Sequence, residues 1–118
     1  MEKCILIVDD NPVIRDVIKS RLSKVLNLSH SREAANGHEA IELALKCKPD
    51  LVILDISMPE MDGVTVAKHL KQSMPETPII LFTIYKLDDD AAKLGVDAVV
   101  SKLNLRKLTE EVCARLMW

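Results

Sequence analysis

The chain has 118 residues, the usual length of one domain with one hydrophobic core. Hydrophobic residues make up 48% of it, which suffices for a core, but no apolar stretch is long enough to cross a bilayer. The net charge of −2 comes from 16 basic and 18 acidic residues mixed along the chain, without the basic stripe typical of nucleic-acid binding. We therefore expect no direct contact with nucleic acid or membrane.

The amino terminus and the cysteines predict a cytoplasmic protein. Residues 1–4 lead directly into an apolar run and lack the basic segment, apolar segment and cleavage site of a secretory signal. Cys4, Cys47 and Cys113 are far apart in the sequence and show no metal-binding spacing. We expect them to be reduced thiols that behave as small apolar residues.

Strand and helix patterns alternate along the chain. Short apolar runs without polar alternation are typical of strands covered on both faces, and they span residues 4–8, 51–54, 79–82 and 98–101. A weaker edge strand is predicted around residues 27–32, where the sequence is more polar. Helical periodicity predicts helices over residues 12–25, 38–47, 64–73, 87–94 and from about 104 onward.

Three of these helices are predicted to present an apolar face to the core. The residues expected to face inward on the first helix are Val13, Ile14, Val17, Ile18, Leu22 and Val25. Those expected to face inward on the second helix are Ala40, Ile41, Ala44 and Leu45. The last helix is predicted to align Leu108, Val112 and Leu116 on its inner face.

Polar residues stand at the ends of four of the predicted strands. Asp9 and Asp10 end the first run, Asp55 the third, Thr83 the fourth and Lys102 the fifth. The alternating order predicts a parallel sheet with helices on both faces and right-handed crossovers. Such sheets bind ligands at the carboxyl ends of their strands, so we expect these side chains to share one pocket.

Three carboxylates, a hydroxyl and an ammonium group suit phosphoryl chemistry on a divalent cation. Asp9, Asp10 and Asp55 offer the oxygen ligands that Mg²⁺ prefers, and a carboxylate can attack phosphorus to give an acyl phosphate. Taken singly, an acid here could cap a helix or start a turn, and Thr83 and Lys102 could be ordinary strand-end residues. Their joint occurrence at four strand ends favours a functional site.

With these residues placed, the chain resembles the receiver domains of two-component response regulators along essentially its whole length. The motifs that carry the resemblance are Val8-Asp9-Asp10, Ala35-Asn36-Gly37 with Glu39-Ala40, Leu54-Asp55-Ile56-Ser57-Met58-Pro59 with Asp62-Gly63, Thr83 and Lys102. The resemblance implies a single receiver domain over residues 1–118. Its fold would be a flavodoxin-like, doubly wound α/β sandwich with five parallel strands in the order 2-1-3-4-5.

The resemblance also implies roles for the strand-end residues. Asp55 would accept phosphate from a histidine kinase or phosphotransfer protein, Thr83 would shift toward the phosphoryl group, and Lys102 would pair with it. The implied Mg²⁺ ligands are Asp9, Asp10 (directly), Asp55 and the backbone carbonyl of Ser57. Output to an effector protein or a fused output domain would run through the fourth helix, fifth strand and fifth helix. The domain would be a monomer or a weak phosphorylation-linked dimer, and a signalling module rather than an enzyme.

The chain departs from the family pattern at four places. Val99 stands where receivers usually have an aromatic residue, and Leu103 stands where proline usually follows the lysine. We expect the Lys102–Leu103 peptide bond to be trans or strained, because a cis bond before a non-proline residue costs about 2.5–4 kcal/mol. Ile84 is bulky where a small residue is usual, and residues 85–94 form a short fourth-helix region with an acidic run at 88–90. These departures predict a smaller or differently routed response to phosphorylation.

Three other functions are weighed against this one. The departures give some support to an interaction domain that works without phosphate, although the retained acids and Lys102 count against it. A phosphohydrolase with an aspartate nucleophile usually needs a second acid two residues later, where this chain has Ser57. A flavin-binding domain needs donors in the first strand-to-helix turn, where this chain has Asp9 and Asp10.

Overall fold

The computed structural model describes residues 3–84 and 95–116, so the predicted fourth helix at 87–94 lies outside the described residues. The strands are β1 (Ile5–Val8), β2 (Arg32–Ala34), β3 (Leu51–Leu54), β4 (Ile79–Thr83) and β5 (Ala98–Ser101). The helices are α1 (Pro12–Leu22), α2 (Gly37–Cys47), α3 (Gly63–Ser73) and α4 (Leu105–Leu116), the last being the helix predicted as the fifth. Within the described part of the chain, no helix is long and apolar enough to span a bilayer.

The strands form one parallel sheet in the order β2-β1-β3-β4-β5, which confirms the predicted fold. Side chains from alternate strand positions face opposite layers of helices. Ile5 and Ile7 belong to a core cluster that includes residues of α1 and α4. Leu6 and Val8 belong to a second cluster, which includes residues of α2 and α3. This two-sided burial explains why the central strands read as continuous apolar runs.

Side-chain caps fix where the helices begin. The side chains of Asn11, Asn36 and Asp62 accept hydrogen bonds from backbone N–H groups two or three residues later, each at 2.9 Å. Asn104 does the same for the N–H of Lys107, also at 2.9 Å. Each cap satisfies one of the backbone donors that a helix leaves unpaired at its start. Asn11 and Asn104 thereby fix where α1 and α4 begin, shortly after the ends of β1 and β5.

The edge strand β2 lies later in the chain than predicted. Its residues are Arg32–Ala34, whereas the sequence predicted a strand around 27–32. The Asn27 side chain accepts a hydrogen bond from the Ser29 N–H at 2.9 Å, and the Ser31 N–H donates to the Leu28 carbonyl at 2.9 Å. These local bonds make a turn, which competes with strand pairing and explains the wrong boundary.

The first helix is shorter and covers less of the core than predicted. It ends at Leu22, and only Ile18 and Leu22 of its predicted inner face are fully buried. Val13 and Val17 are exposed, because the apolar stripe of this helix is wider than the surface it packs against, and Val25, also exposed, lies beyond the end of the helix. A similar correction applies to α2, where Leu45 is exposed although the two alanines of its predicted face are buried. The predicted inner face of the last helix, α4, is confirmed.

Gly63 allows a close approach between the start of α3 and the loop after β3. A Cβ atom on Gly63 would lie 2.1 Å from the Asp55 carbonyl oxygen and 2.7 Å from the Ile56 Cα. The Gly63 N–H donates to the Ile56 carbonyl at 2.8 Å, which ties the two segments together. The loop that carries Asp55 is therefore held against the first turn of α3 by backbone contact.

Gly63→Ala is expected to destabilise the fold, because the added methyl group has no room and must push the two backbones apart. The expected loss is about 2 kcal/mol of unfolding free energy, in the range of overpacked sites. Urea unfolding of this variant, beside Thr65→Ala at an exposed position of the same helix, measures the loss. Equal stability of the two variants would show that the approach is looser than the structure indicates.

Candidate functional site

The carboxyl ends of β1 and β3 bring three acidic residues together. These strands are neighbours in the sheet, and the Asp55 N–H donates to the Val8 carbonyl at 2.9 Å. Ligand oxygens of Asp9, Asp10 and Asp55 all lie within 4.8 Å of one another. Asp9 and Asp55 are only 1% and 4% exposed, whereas Asp10 is exposed to solvent. The cluster therefore has a buried floor and one acid at its mouth.

Lys102 extends from the end of β5 into this acidic cluster. Its Nζ lies 2.7 Å from Asp9 Oδ2 and 3.3 Å from Asp55 Oδ2. Its backbone N–H donates to the Thr83 carbonyl at 3.0 Å, which fixes the chain where β5 ends beside β4. Because two buried carboxylates close together repel each other, the ammonium group compensates part of their charge. In the structure, the negative charge of the site is thus partly compensated by a side chain of the protein itself.

Asp9 is held rigidly by its neighbours. Its Oδ1 accepts a hydrogen bond from the Asn11 N–H at 2.9 Å, and its own N–H donates to the Ala34 carbonyl at 3.1 Å. With Oδ2 on Lys102, both carboxylate oxygens have partners. The cap of α1 is Asn11, so Asp9 fixes the turn before this helix and contributes to the charge of the site, and it is not itself the helix cap.

Asp55 has a less favourable environment for its charge. Its nearest backbone donor is the Ser57 N–H, at a long 3.4 Å from Oδ1. Burial, and then the charge of Asp9, raises the pKa of Asp55 against the opposing effect of Lys102. Burial alone would lower the pKa of Lys102, but its hydrogen bond to Asp9 and the charges of both acids outweigh this and raise it. Lys102 therefore stays charged, and Asp55 is the residue of this pair whose ionised form is disfavoured.

Thr83 and Ser57 lie at the same edge of the sheet. Thr83 ends β4, is almost completely buried, and pairs in register with Ser101 beside the site. Ser57 is exposed and follows Asp55 by two residues in the loop before α3. All the residues singled out from the sequence thus converge at the carboxyl edge of the sheet, as predicted for a doubly wound fold.

The departures from the family pattern surround this edge. Val99 pairs with Leu81 across β4 and β5 and packs against the core cluster on the side of α2 and α3. Leu103 is 93% exposed, and no peptide bond in the described part of the chain is cis, so the expected trans alternative is the observed one. Ile84 is 67% exposed directly after Thr83. Residues 85–94 lie outside the described residues.

Arg15 is a residue of the site that the sequence reasoning missed. Its Nη1 donates to the Asp9 carbonyl at 2.6 Å, and its Nε donates to Glu33 Oε1 at 3.0 Å. Lys19, one helical turn later, donates to Glu33 Oε2 at 2.7 Å, and this bond is the main cause of the lowered pKa of Glu33. Arg15 thereby links the Asp9–Asp10 turn to β2. The spacing of two cations on α1 was visible in the sequence, but their partner on the edge strand was not.

The raised pKa of Asp55 predicts how stability depends on pH in metal-free protein. The pKa of Asp55 is higher in the folded than in the unfolded state. Such a carboxyl stabilises the fold at pH values below its pKa in the unfolded chain, which is about 3.9. That contribution is lost as pH rises through the folded pKa. Asp55→Asn cannot ionise, so the variant should gain stability relative to the native chain as pH rises from ~4 to ~7. Urea unfolding in chelator measures both, and a difference that does not change with pH would contradict this.

Comparisons with known proteins agree with the fold and the site. The family model of the response regulator receiver domain matches residues 5–112. The chain therefore belongs to the receiver domains of two-component response regulators. In the structure of the response regulator TrrA from Thermotoga maritima in complex with Mg²⁺-BeF, the matched chain is 36% identical. The match covers 97% of this chain and 99% of that one, with a TM-score of 0.88.

Two curated relatives are longer than this chain. A protein-glutamate methylesterase/protein-glutamine glutaminase of Alkalilimnicola ehrlichii is 40% identical over 94 residues, which are 80% of this chain and 23% of that protein. The nitrate/nitrite response regulator NarL of Escherichia coli is 34% identical over 101 residues, which are 83% of this chain and 47% of NarL. The chain thus spans about a quarter and about half of the lengths of these two relatives.

Proposed function

We propose that this receiver domain accepts a phosphoryl group on Asp55 from the phosphohistidine of a histidine kinase or phosphotransfer protein. The observation that carries the proposal is the cluster of three carboxylates within 4.8 Å, with Lys102 Nζ 3.3 Å from Asp55. Asp55 is the best nucleophile of the three because it follows the central strand β3 and begins a loop. Asp9 has both oxygens engaged, and Asp10 lies at the exposed mouth.

Mg²⁺ suits the donors of this site. Hard divalent cations prefer carboxylate and carbonyl oxygens, and an acidic cluster with so little exposure favours charge compensation. The proposed ligands are Asp9, Asp10, Asp55 and the backbone carbonyl of Ser57. When bound, Mg²⁺ would neutralise charge on the phosphoryl oxygens. The relative TrrA, whose structure is in complex with Mg²⁺-BeF, supports this assignment.

The transfer needs one nucleophile and two groups that compensate charge. An Asp55 carboxylate oxygen forms a bond to phosphorus as the phosphorus–nitrogen bond of the donor breaks, and the imidazole leaves as a neutral base after taking up a proton. Lys102, already beside Asp55, pairs with the phosphoryl oxygens as charge develops. The Thr83 hydroxyl donates a hydrogen bond to a phosphoryl oxygen. The product is an acyl phosphate, which water hydrolyses slowly.

Incubation with a small acyl-phosphate donor tests this function. Intact mass should show a gain of one phosphoryl group when Mg²⁺ is present and none when a chelator replaces it. If the small donor fails, the same measurement with a histidine kinase separates a donor excluded by Ile84 from an inactive site. Failure with both donors would favour the interaction domain that works without phosphate.

The response to phosphorylation should be smaller or differently routed than in receivers with an aromatic switch residue. Val99 is short and packs against the core cluster that contains Leu81, and it has no ring that could move when Thr83 shifts. Receiver domains act through histidine kinases and output domains, and an effector protein or a fused output domain would read the surface of the fourth helix, β5 and α4.

Backbone chemical shifts measure that response. On activation with beryllofluoride and Mg²⁺, we expect only small shift changes at residues 87–94, because Val99 has no aromatic ring whose rotamer could change. Large changes there, as in relatives with an aromatic switch residue, would contradict the proposed routing. Changes at Asp55 and Lys102 in the same spectra serve as the internal control that the domain was activated.

A further inference from the structure

Two of the three cysteines meet at the amino-terminal end of the sheet, opposite the phosphorylation edge. Cys4 directly precedes β1 and has the same strand parity as Leu6 and Val8, whose side chains face α2 and α3. Cys47 is the last residue of α2 and follows the buried Ala44 by three residues, so it lies on the same helical face. Strand parity and helical period thus independently place the two thiols on facing surfaces.

The contacts of these residues hold their sulfur atoms in place. Cys47 Sγ donates to the Leu43 carbonyl at 2.7 Å, and the Cys47 thiol lies near enough to the Cys4 thiol to raise its pKa. The backbone of Cys4 is fixed by two bonds to Asp50: its N–H donates to Asp50 Oδ2 at 2.8 Å, and its carbonyl accepts from the Asp50 N–H at 2.7 Å. The segment that follows Cys47 is therefore tied to the segment that contains Cys4.

The third cysteine provides a matched control. Cys113 lies on α4, which packs against the opposite face of the sheet, so the sheet separates it from the other two. All three cysteines are free, and each is partly buried. A reagent that reaches one of them by exposure alone should therefore reach Cys113 as well.

We propose that Cys4 and Cys47 form an intramolecular disulfide when the protein meets a hydroperoxide. One thiol, as thiolate, attacks a peroxide oxygen and becomes a sulfenic acid, with hydrogen peroxide releasing one water molecule. The second thiol attacks the sulfenic sulfur, the sulfur–sulfur bond forms, and a second water molecule leaves. Two thiols are oxidised, one peroxide is reduced to two molecules of water, and the new sulfur–sulfur bond is about 2.05 Å long.

The surroundings of Cys4 make this a slow reaction at neutral pH. Burial, followed by the charges of Cys47 and Asp50, raises the pKa of the Cys4 thiol, and only Arg32 acts in the opposite direction. Because the thiolate is the reacting form, oxidation should become faster as the pH rises. The bond would join β1 to the carboxyl end of α2 and close the loop of residues 4–47, which restricts the unfolded chain.

Peroxide treatment of the folded, metal-free protein tests the proposal. Intact mass under non-reducing conditions should fall by two hydrogens in the native chain and in Cys113→Ser, and should not do so in Cys47→Ser. A protease digest without reductant should yield one linked pair of peptides containing Cys4 and Cys47. The oxidised protein should melt about 5 °C higher or more, and dithiothreitol should reverse both changes.

Two results would overturn the proposal. One is that all three thiols still react with an alkylating agent after prolonged peroxide treatment at raised pH, where the thiolate is more abundant. The other is a linked peptide pair that contains Cys113, or a disulfide between two molecules. The peptide map of the native chain decides the question by itself if Cys47→Ser does not fold.

Discussion

Asp55→Asn is expected to reduce phosphoryl incorporation to background. The amide of asparagine keeps the size of the side chain but is a poor nucleophile, and it also removes one of the three carboxylates proposed for Mg²⁺. The measurement is phosphoryl transfer from an autophosphorylated histidine kinase, followed as loss of label from the kinase and gain by the receiver. The native chain should gain label, and Asp55→Asn should not.

Asp62→Asn is the matched control for this experiment. Asp62 lies in the same loop, is exposed, and caps α3 by accepting the Thr65 N–H at 2.9 Å. Asparagine is an equally good cap, so this variant keeps the fold and all three carboxylates of the site. It should accept phosphate at the native rate. Full labelling of Asp55→Asn, or equal loss in both variants, would contradict the assignment of Asp55.

Lys102→Met should change phosphorylation and metal binding in opposite directions. Removal of the ammonium group takes away the charge that pairs with the phosphoryl oxygens, so the transfer rate should fall by about 10²-fold. The same removal takes a cation away from Asp9 and Asp55, 2.7 and 3.3 Å from Nζ, so Mg²⁺ should bind about tenfold more tightly. Metal titration and single-turnover transfer, both at pH ~8, measure the two effects.

Lys107→Met separates a local effect from a change in net charge. Lys107 lies on the exposed side of α4. Its replacement by methionine removes the same charge from the protein without changing a residue of the site. It should leave both the transfer rate and the Mg²⁺ affinity near their native values. If Lys102→Met weakened Mg²⁺ binding, Lys102 would have to support the metal site through structure rather than compete with it through charge.

The sequence predicted the parts of the site that depend on strand ends alone. In a parallel sheet, the residue after each strand lies at a known edge, so Asp9, Asp55, Thr83 and Lys102 could be brought together without knowledge of any contact. The runs that form β1, β3 and β4 are buried throughout, so their ends could be placed from the sequence. The strand order, by contrast, came from the resemblance to the family.

Contacts between distant segments of the chain could not be predicted. The link from Arg15 to Glu33 depends on the position of β2, which was misplaced because the preceding turn is made by side-chain-to-backbone bonds. The proximity of Cys4 and Cys47 likewise appears only when α2 is docked on β1. The helical period shows which residues share a face of a helix. How much of that face is buried depends on the elements that pack against it, and this is why Val13 is exposed.

The measurement that tests the central claim most directly is chemical identification of the phosphorylated side chain. Borohydride reduces an acyl phosphate on aspartate to an alcohol, which leaves homoserine in its place. Peptide mass spectrometry of the phosphorylated, reduced protein should find homoserine at position 55, and unmodified aspartate at positions 9 and 10. Homoserine at either of those two positions, or phosphate retained on a serine or histidine with position 55 unchanged, would contradict the account.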